Sequence, residues 1–429
     1  MDKLISKILN FNNRGKIKNA ADALLKTLIK NGLEVVFANP GTSEMHLVAA
    51  IDHHPEVRPI LGLFEGVVSG AADGYSRISG KAAANLLHLG PGLGNAIPNI
   101  HNAKKARTPM LNIVGDHATY HLKYNAPLTS DLDGLSNASS DWVGRSKTPD
   151  DLSLIGAEAW KQAHRFPGQI STLIVPADCA WGETKTEGPK VDFEGPQKVD
   201  ERKIELAFTA LKSKTKSLLF LGGEFLDEES LTLAGQIATA VGCRLATDTL
   251  TKKHRRGAGL TKVQNIPYFA EMAEEYLAGV ENIIFIGSRP PVSFFAYPGK
   301  KSFLSPDEAN LIEVATPEQD GKYALKALND LCKGKKIDSL TTKLSGRHNI
   351  LNITGSIAIA MKLGLGFQEI KRLLWQFEGI NRRFSIYEHS QNIILIDDYA
   401  HHPAEIKVTI ATAKTRFPRR KIIGCFQPH

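Results

Sequence analysis

The stretch Ile60-Leu61-Gly62-Leu63-Phe64-Glu65-Gly66-Val67-Val68-Ser69-Gly70-Ala71-Ala72-Asp73-Gly74-Tyr75 passes from an apolar run, through one carboxylate, into a helical pattern. A strand over Pro59 to Leu63 is expected to end at Glu65, with a helix starting near Gly66. Outward from it, Glu34 to Ala38, Ala83 to Leu89, Met110 to Val114 and Ser171 to Val175 read as further strands. Amphipathic stretches starting near Thr42 and Leu93, each behind a Gly or Pro turn, fill the intervals. Strand-helix alternation at this spacing predicts a parallel, doubly wound α/β sheet with ligand sites at the carboxyl ends of its strands.

Glu65 lies between Phe64 and Val67, so its carboxylate is expected to be poorly solvated and able to share a proton with a weakly basic nitrogen. Its position also suits a carboxylate that merely caps the next helix. A second strand end reads Leu87-His88-Leu89-Gly90-Pro91-Gly92-Leu93-Gly94-Asn95. Glycines at alternate positions let backbone approach a ligand closely, although the spacing is not the GxGxxG of dinucleotide sites. His88 reads either as a core histidine or as a proton shuttle. A third segment is Phe37-Ala38-Asn39-Pro40-Gly41-Thr42-Ser43-Glu44.

Together these segments resemble the pyrimidine-binding domain of thiamine-diphosphate enzymes, collinearly over residues 18–182, within the acetolactate synthase large subunit and benzoylformate decarboxylase group. The resemblance implies that Glu65 hydrogen-bonds N1′ of the aminopyrimidine and favours the imino tautomer whose 4′-nitrogen takes the thiazolium C2 proton. The cofactor then attacks a 2-oxo acid and serves as electron sink when carbon dioxide leaves. It further implies that Pro40, Gly41, Thr42, Gly90, Gly92, Gly94 and Asn95 bind the cofactor, with the loop Gly90 to Asn95 against the pyrimidine ring. Thr42 aligns with a substrate-facing Ser, and His88 with the active-site His of the decarboxylases. His101, His117 and His121 read as packing residues, and the spacing of Asp116-His117 and His121 gives no support for a metal.

A polar linker, residues 183–200, precedes a second alternating unit over 201–331, with strands at Ser217 to Leu221, Arg244 to Thr247, Asn282 to Ile286 and Asn310 to Val314 and a closing helix at Tyr323 to Leu331. This unit resembles the Rossmann-like central domain of the same enzymes. Gly222-Gly223 stands where some relatives bind FAD or an ADP group. The segment Pro291 to Pro298 lacks the second catalytic His of the decarboxylases, and Phe294 and Phe295 there are candidates for an apolar pocket. The family's GDG motif, which holds diphosphate through Mg2+, has no counterpart after Leu331. The resemblance therefore implies a site completed by another subunit of a homodimer or tetramer, or by a separate diphosphate-binding chain.

Beyond a junction at 332–342, residues 343–429 change identity. His348 and Asn352 form an i, i+4 pair on an expected helix from Asn349 to Leu363, followed by a helix Phe367 to Phe377, a strand Ile393 to Ile396, a helix Pro403 to Arg416 and a strand Lys421 to Phe426. Phe377-Glu378-Gly379-Ile380-Asn381-Arg382-Arg383-Phe384, Asp397-Asp398-Tyr399-Ala400-His401-His402-Pro403 and Phe426-Gln427-Pro428-His429 closely resemble the Mur ligases, specifically UDP-N-acetylmuramate:L-alanine ligase. The resemblance implies that His348 and Asn352 flank adenine, that Arg383 approaches ATP phosphates, and that Asp398, His401 and His402 face the amino-acid side. Without a P-loop, ATP is expected to bind slightly.

The 429 residues carry a net charge of +8, scattered except for Lys252-Lys253-His254-Arg255-Arg256, which lacks interleaved aromatics and reads as a solvated loop rather than a nucleic-acid footprint. Cys179, Cys243, Cys332 and Cys425 are far apart, which fits a reducing cytoplasm. No run is long and apolar enough to span a membrane, and residues 1–17 read as a partly frayed helical extension. The function expected is 2-oxo-acid carbon-carbon lyase or synthase chemistry of the acetolactate synthase type, truncated before the diphosphate and Mg2+ domain and inactive alone. The alternatives are an ATP-dependent peptidoglycan ligase fragment and a noncatalytic subunit that completes a shared site.

Overall fold

The computed structural model describes residues 19–213, 215–333, 340, 342–344, 346–377, 379–380, 382–390 and 393–426. The extension at 1–17, the lysine-rich stretch at 334–336, Glu378, Asn381 and Gln427-Pro428-His429 lie outside the described residues. The chain divides into two compact units, Met1–Gly334 and Lys335–His429.

The first unit opens with α1 (Ala20–Lys30), β1 (Val35–Asn39), α2 (Met45–His53), β2 (Arg58–Leu61), α3 (Glu65–Ser79), β3 (Ala83–Leu87), α4 (Leu89–Lys105) and β4 (Met110–Asp116). It continues through α5 (Leu132–Ser139), β5 (Trp142–Arg145), α6 (Pro149–Ala163), β6 (Ile170–Pro176) and α7 (Ala177–Trp181). The strands form one parallel sheet in the order β2-β1-β3-β4-β6-β5. Every residue of β3 and β4 is buried, because helices cover both faces, so these strands read as continuous apolar runs. Leu86 packs with Leu24, Leu28 and Trp160 on the face of α1, α2 and α6, whereas Leu87 packs with Val68, Leu93 and Ile100 on the face of α3 and α4. A polar ladder interrupts this core: Asn85 donates to Asn112 (2.9 Å), Asn112 to Thr172 (3.2 Å), and Thr172 bonds Ser140 (2.6 Å).

Two local departures from the expected pattern matter. The edge strand β5 is short and only half-buried, so it carries no strong apolar signal. The helix α4 begins at Leu89, four residues before Leu93, so the glycine-rich turn Gly90 to Asn95 is helix and not loop. Leu89 makes this possible by adopting φ 50°, a left-handed conformation that swings the chain directly from strand into helix.

The second half of this unit contains α8 (Glu201–Lys212), β7 (Ser217–Leu221), α9 (Glu228–Val241), β8 (Arg244–Thr247), β9 (Gln264–Asn265), α10 (Ala270–Leu277), β10 (Asn282–Ile286), β11 (Asn310–Ala315) and α11 (Gly321–Cys332). Its parallel sheet runs β11-β10-β7-β8-β9. The polar stretch 183–200 is a strap laid along α1: Glu187 pairs with Lys26, the amide of Gly188 donates to Thr27, and that of Val191 to Asn31. The basic run is likewise no free loop. Lys252 donates to Glu224 (2.7 Å) and to the Arg107 carbonyl (3.1 Å), and Lys253 to the Ile78 carbonyl (3.0 Å), which ties the two sheets' layers together.

The second unit holds α12 (Arg347–Lys362), α13 (Phe367–Gln376), β12 (Ser385–Ser390), β13 (Ile393–Asp397) and α14 (Pro403–Arg416), with β12 and β13 antiparallel. The expected strand Lys421 to Phe426 does not form. Its residues are exposed and make no ladder, since a strand is stable only against a neighbour that completes its hydrogen bonds.

Candidate active site

The backbone turns from β2 into α3 through Phe64, whose side chain provides no cap, and Glu65 takes the first helical position with 8% exposure. A carboxylate in the first turn is favoured by the free amides there. Asn95, in the second turn of α4, donates to Glu65 Oε2 at 3.0 Å. Asn99, one turn further, donates to the Gly66 carbonyl at 2.6 Å, so α3 and α4 are fixed in register around the carboxylate. A Cβ at Gly92 would lie 3.1 Å from Glu65 Oε1, tighter than ordinary packing. Gly92 therefore keeps one carboxylate oxygen uncrowded, and among the described residues that oxygen accepts no hydrogen bond. Gly94 and Asn95 are exposed and Gly90 is buried, where a Cβ would strike Ser130.

A second carboxylate was not singled out from sequence. Glu44 is wholly buried, and its Oε2 accepts from the amide of Gly41 (2.7 Å) and meets His88 Nδ1 (2.8 Å). Ser43 donates to Glu44 Oε1 at 2.7 Å. Close approach explains two glycines: a Cβ at Gly41 would collide with the His88 ring, and one at Gly115 with the Glu44 carboxylate. The carboxylate orients the imidazole, leaving Nε2 as the nitrogen that faces away from Glu44. The signal available in sequence was a single carboxylate three residues after Gly41, just past the apolar run that ends at Ala38.

His88 also lines a cavity of about 300 Å³ with Thr42, His46, His117, His121 and Trp181. Its walls come from the chain following β1, β3, β4 and β6, so the cavity lies at the carboxyl ends of adjacent strands. His117 and His121, read from sequence as packing residues, thus share a wall with His88, their own rings 5.6 Å apart. The loop carrying them is anchored at both sides: Arg145 bonds the buried Asp116 at 2.6 Å, and Asp178 receives the amide and hydroxyl of Thr119. Burial beside Trp181 pushes the His46 imidazole below its usual value. Pro40 and Gly41 lead into the turn beneath His88, with Thr42 exposed at its rim.

In the central layer, a Cβ at Gly222 would collide with the Gly287 carbonyl, so this glycine serves the packing of β7 against β10. Beside it Asp248 accepts from Ser288 at 2.8 Å, and burial raises its carboxyl to about 6. Phe294 and Phe295 are both exposed.

In the second unit, Asp398 accepts the amides of Phe384 (2.8 Å) and Ala400 (2.9 Å), and His402 caps α14 by accepting from Ala404. Glu405 lies 3.7 Å from Arg383 and 3.6 Å from His401. The structure therefore brings Arg383, Asp398, His401 and His402 to one end of α14, holding them by turn and cap contacts. No hydrogen bond among the described residues joins His348 or Asn352 to them; His348 lines a groove with Thr412 and Arg416, and Asn352 is exposed. Among the described residues, no three metal-ligating side chains converge.

Residues 18–137 match the family described as thiamine pyrophosphate enzyme, N-terminal TPP binding domain, and residues 382–428 match the Mur ligase, glutamate ligase domain. A Mycobacterium tuberculosis protein that carries the name acetolactate synthase large subunit IlvX is 46% identical over 314 residues, 73% of this chain and 60% of that protein. The UDP-N-acetylmuramate–L-alanine ligase of Solidesulfovibrio magneticus is 40% identical over 96 residues, 22% of this chain and 21% of the ligase. The chain thus spans less than two thirds of either relative's length. By fold, it is similar to benzoylformate decarboxylase from Polynucleobacter necessarius (TM-score 0.64, 20% identity, 78% of this chain and 67% of that one). It is also similar to the 4-hydroxybenzoylformate decarboxylase of Rhodococcus jostii RHA1 (TM-score 0.63, 19% identity, 76% and 66%).

Proposed function

We propose, on the premise that this chain joins a thiamine-diphosphate-enzyme N-terminal region to a Mur ligase C-terminal region, that its chemistry is carbon-carbon bond cleavage or formation on a 2-oxo acid. The observation that carries this reading is the buried Glu65, held by Asn95 on one oxygen and left uncrowded at the other by Gly92. Those residues suit an aminopyrimidine: a carboxylate in a site of low polarity shares a proton with a ring nitrogen, and a glycine-lined wall admits a flat ring. Thiamine diphosphate, when bound, supplies the electron sink for the 2-oxo carbon. Glu65 holds the proton facing the ring nitrogen; the Glu44–His88 pair presents an imidazole nitrogen for proton transfer to the substrate oxygen.

In this proposal the chain provides the pyrimidine half of a shared site. Diphosphate and Mg2+ are held by a separate diphosphate-binding chain, and turnover requires that assembly. The free cysteines suit a reducing cytoplasm. In this proposal the Mur ligase-like region contributes no ligase turnover, since Asp398 is engaged by the amides of its turn and His402 caps α14.

The test is calorimetric titration of the purified chain with thiamine diphosphate and Mg2+. Weak binding, with Kd of about 100 µM or more, that weakens further in Glu65→Gln is expected. Submicromolar, Mg2+-dependent binding without a partner would overturn the half-site assignment, and indifference to Glu65→Gln would overturn the role of Glu65.

A further inference from the structure

The basic run at Lys252 to Arg256 divides in two. Lys252 and Lys253 are spent on contacts with the first sheet's layer, whereas His254 and Arg256 line a cavity of about 510 Å³ with Leu260, Thr261, Lys262 and Val263. The loop that carries this cavity is anchored at several points. The amide of Arg255 donates to the Leu226 carbonyl (3.1 Å) and that of Ile266 to the Thr247 carbonyl (3.0 Å). Thr261 lies so close to α9 that a Cβ at Gly235 would strike its side chain. Arg256 is fixed in turn by Asn265, whose amide nitrogen donates to the carbonyls of Asp248 (2.8 Å) and Thr249 (3.2 Å) and whose oxygen accepts from Arg256 Nη2. Arg256 Nε and Nη2 also donate to His254 Nδ1, each at 3.2 Å. A guanidinium only donates, so Nδ1 supplies a lone pair and the proton of the neutral imidazole sits on Nε2. Burial, and then the charge of Arg256, hold His254 below its usual value, in keeping with that neutral form. Arg256 Nη1 and the Lys262 ammonium make no hydrogen bond among the described residues, and no Asp or Glu lines the cavity.

We propose that this cavity binds a small molecule through a phosphate monoester group, with Arg256 and Lys262 as the anion-binding residues and His254 Nε2–H and the Thr261 hydroxyl as further donors. The site goes beyond the 2-oxo-acid reading and does not rest on it: it lies at the edge of the second sheet, beside β9, and shares no lining residue with the cavity at His88. Charge selects the ligand class. A phosphate monoester carries about −1.5 to −2 at neutral pH and matches two permanent cations, whereas a single carboxylate leaves one of them unbalanced. Its three terminal oxygens can also be shared among donors on separate residues, and hydrogen bonds between charged partners are the strong ones. The cavity is larger than a phosphate group, and Leu260 and Val263 give it an apolar wall for an organic body. No aromatic side chain lines it to stack a nucleobase, which favours a small molecule over a single-stranded nucleic acid.

The test is calorimetric titration of the full chain with phenyl phosphate, phenylacetate and inorganic phosphate. Phenyl phosphate should bind about tenfold more tightly than phenylacetate and about threefold more tightly than inorganic phosphate. Arg256→Gln and Lys262→Gln should each weaken phenyl phosphate binding about tenfold. Lys185→Gln, the same loss of charge at an exposed residue of the strap, should change it less than about twofold. Circular dichroism of each variant distinguishes a lost site from a lost fold, and the comparison of probes on the unaltered chain decides the ligand class even where a variant fails to fold. Phenylacetate binding as tightly as phenyl phosphate, or an Arg256→Gln loss no larger than that of Lys185→Gln, overturns the assignment. No detectable binding of phenyl phosphate at about 10 mM overturns it as well. So does tighter binding of a single-stranded oligonucleotide, which would give the basic run to nucleic acid instead.

Discussion

Removing Glu44 offers the most direct test of how the site is organised. Its carboxylate is fully buried and meets a backbone amide at 2.7 Å, a hydroxyl at 2.7 Å and the His88 ring at 2.8 Å. Hydrogen bonds to a charged acceptor contribute about 1.5–3 kcal/mol each. Gly41, Ser43 and His88 are only partly buried and regain some water, and burial of the carboxylate itself carries a cost that is recovered, so Glu44→Ala should destabilise by about 3–4 kcal/mol. His88→Ala removes one contact of the three and should cost about 1.5–2 kcal/mol. If the two residues act as a pair, the double variant should be less destabilised than the sum, with a coupling energy of about 1–2 kcal/mol. Urea unfolding followed by tryptophan emission measures this, since Trp142, Trp160 and Trp181 all lie in the first sheet's layers. A coupling energy below about 0.5 kcal/mol would refute the claim that Glu44 positions His88.

Four further outcomes follow from the same geometry. Asp248, raised from 3.8 to about 6 in the folded chain, binds its proton more readily when folded than unfolded, so its contribution favours folding below about pH 4 and is lost as pH rises to about 6. Asp248→Asn should accordingly raise stability at pH 7.5 by about 2–3 kcal/mol and flatten the pH dependence between those limits, as read by chemical denaturation across pH. Arg145→Met leaves Asp116 buried beside no cation and should cost about 2–4 kcal/mol by thermal unfolding. Lys252→Met releases the tie to Glu224 and the Arg107 carbonyl, and should lower the urea midpoint by the equivalent of about 1–2 kcal/mol. Gly92→Ala should weaken thiamine diphosphate binding in calorimetry about tenfold while shifting the melting temperature by only about 1 °C, because its methyl intrudes on Glu65 rather than on the core.

Much of the fold was legible along the chain because burial leaves a local record. The strands at 217–221 and 282–286 and the helix Pro403–Arg416 coincide with their apolar and capping patterns, and Glu65 stands out as a charge at the end of an apolar run. The start of α4 was not legible, since a left-handed leucine has no sequence signature of its own. Nor was the absence of a strand over Lys421 to Phe426, whose alternation is compatible with a ladder but whose neighbour is missing.

Taken alone, the order of residues determined the α/β alternation, the two parallel-sheet layers and the carboxylate at position 65, all of which depend on periodicity within ten or twenty residues. Only the tertiary structure decided that Glu44 meets His88, that His46, His117 and His121 share one cavity with His88, and that Lys252 ties one layer to the other. The physical reason is the strand order β1-β3-β4-β6: hydrophobic pattern dictates that each strand is buried, but which strand ends stand side by side is settled by packing among elements distant in the chain.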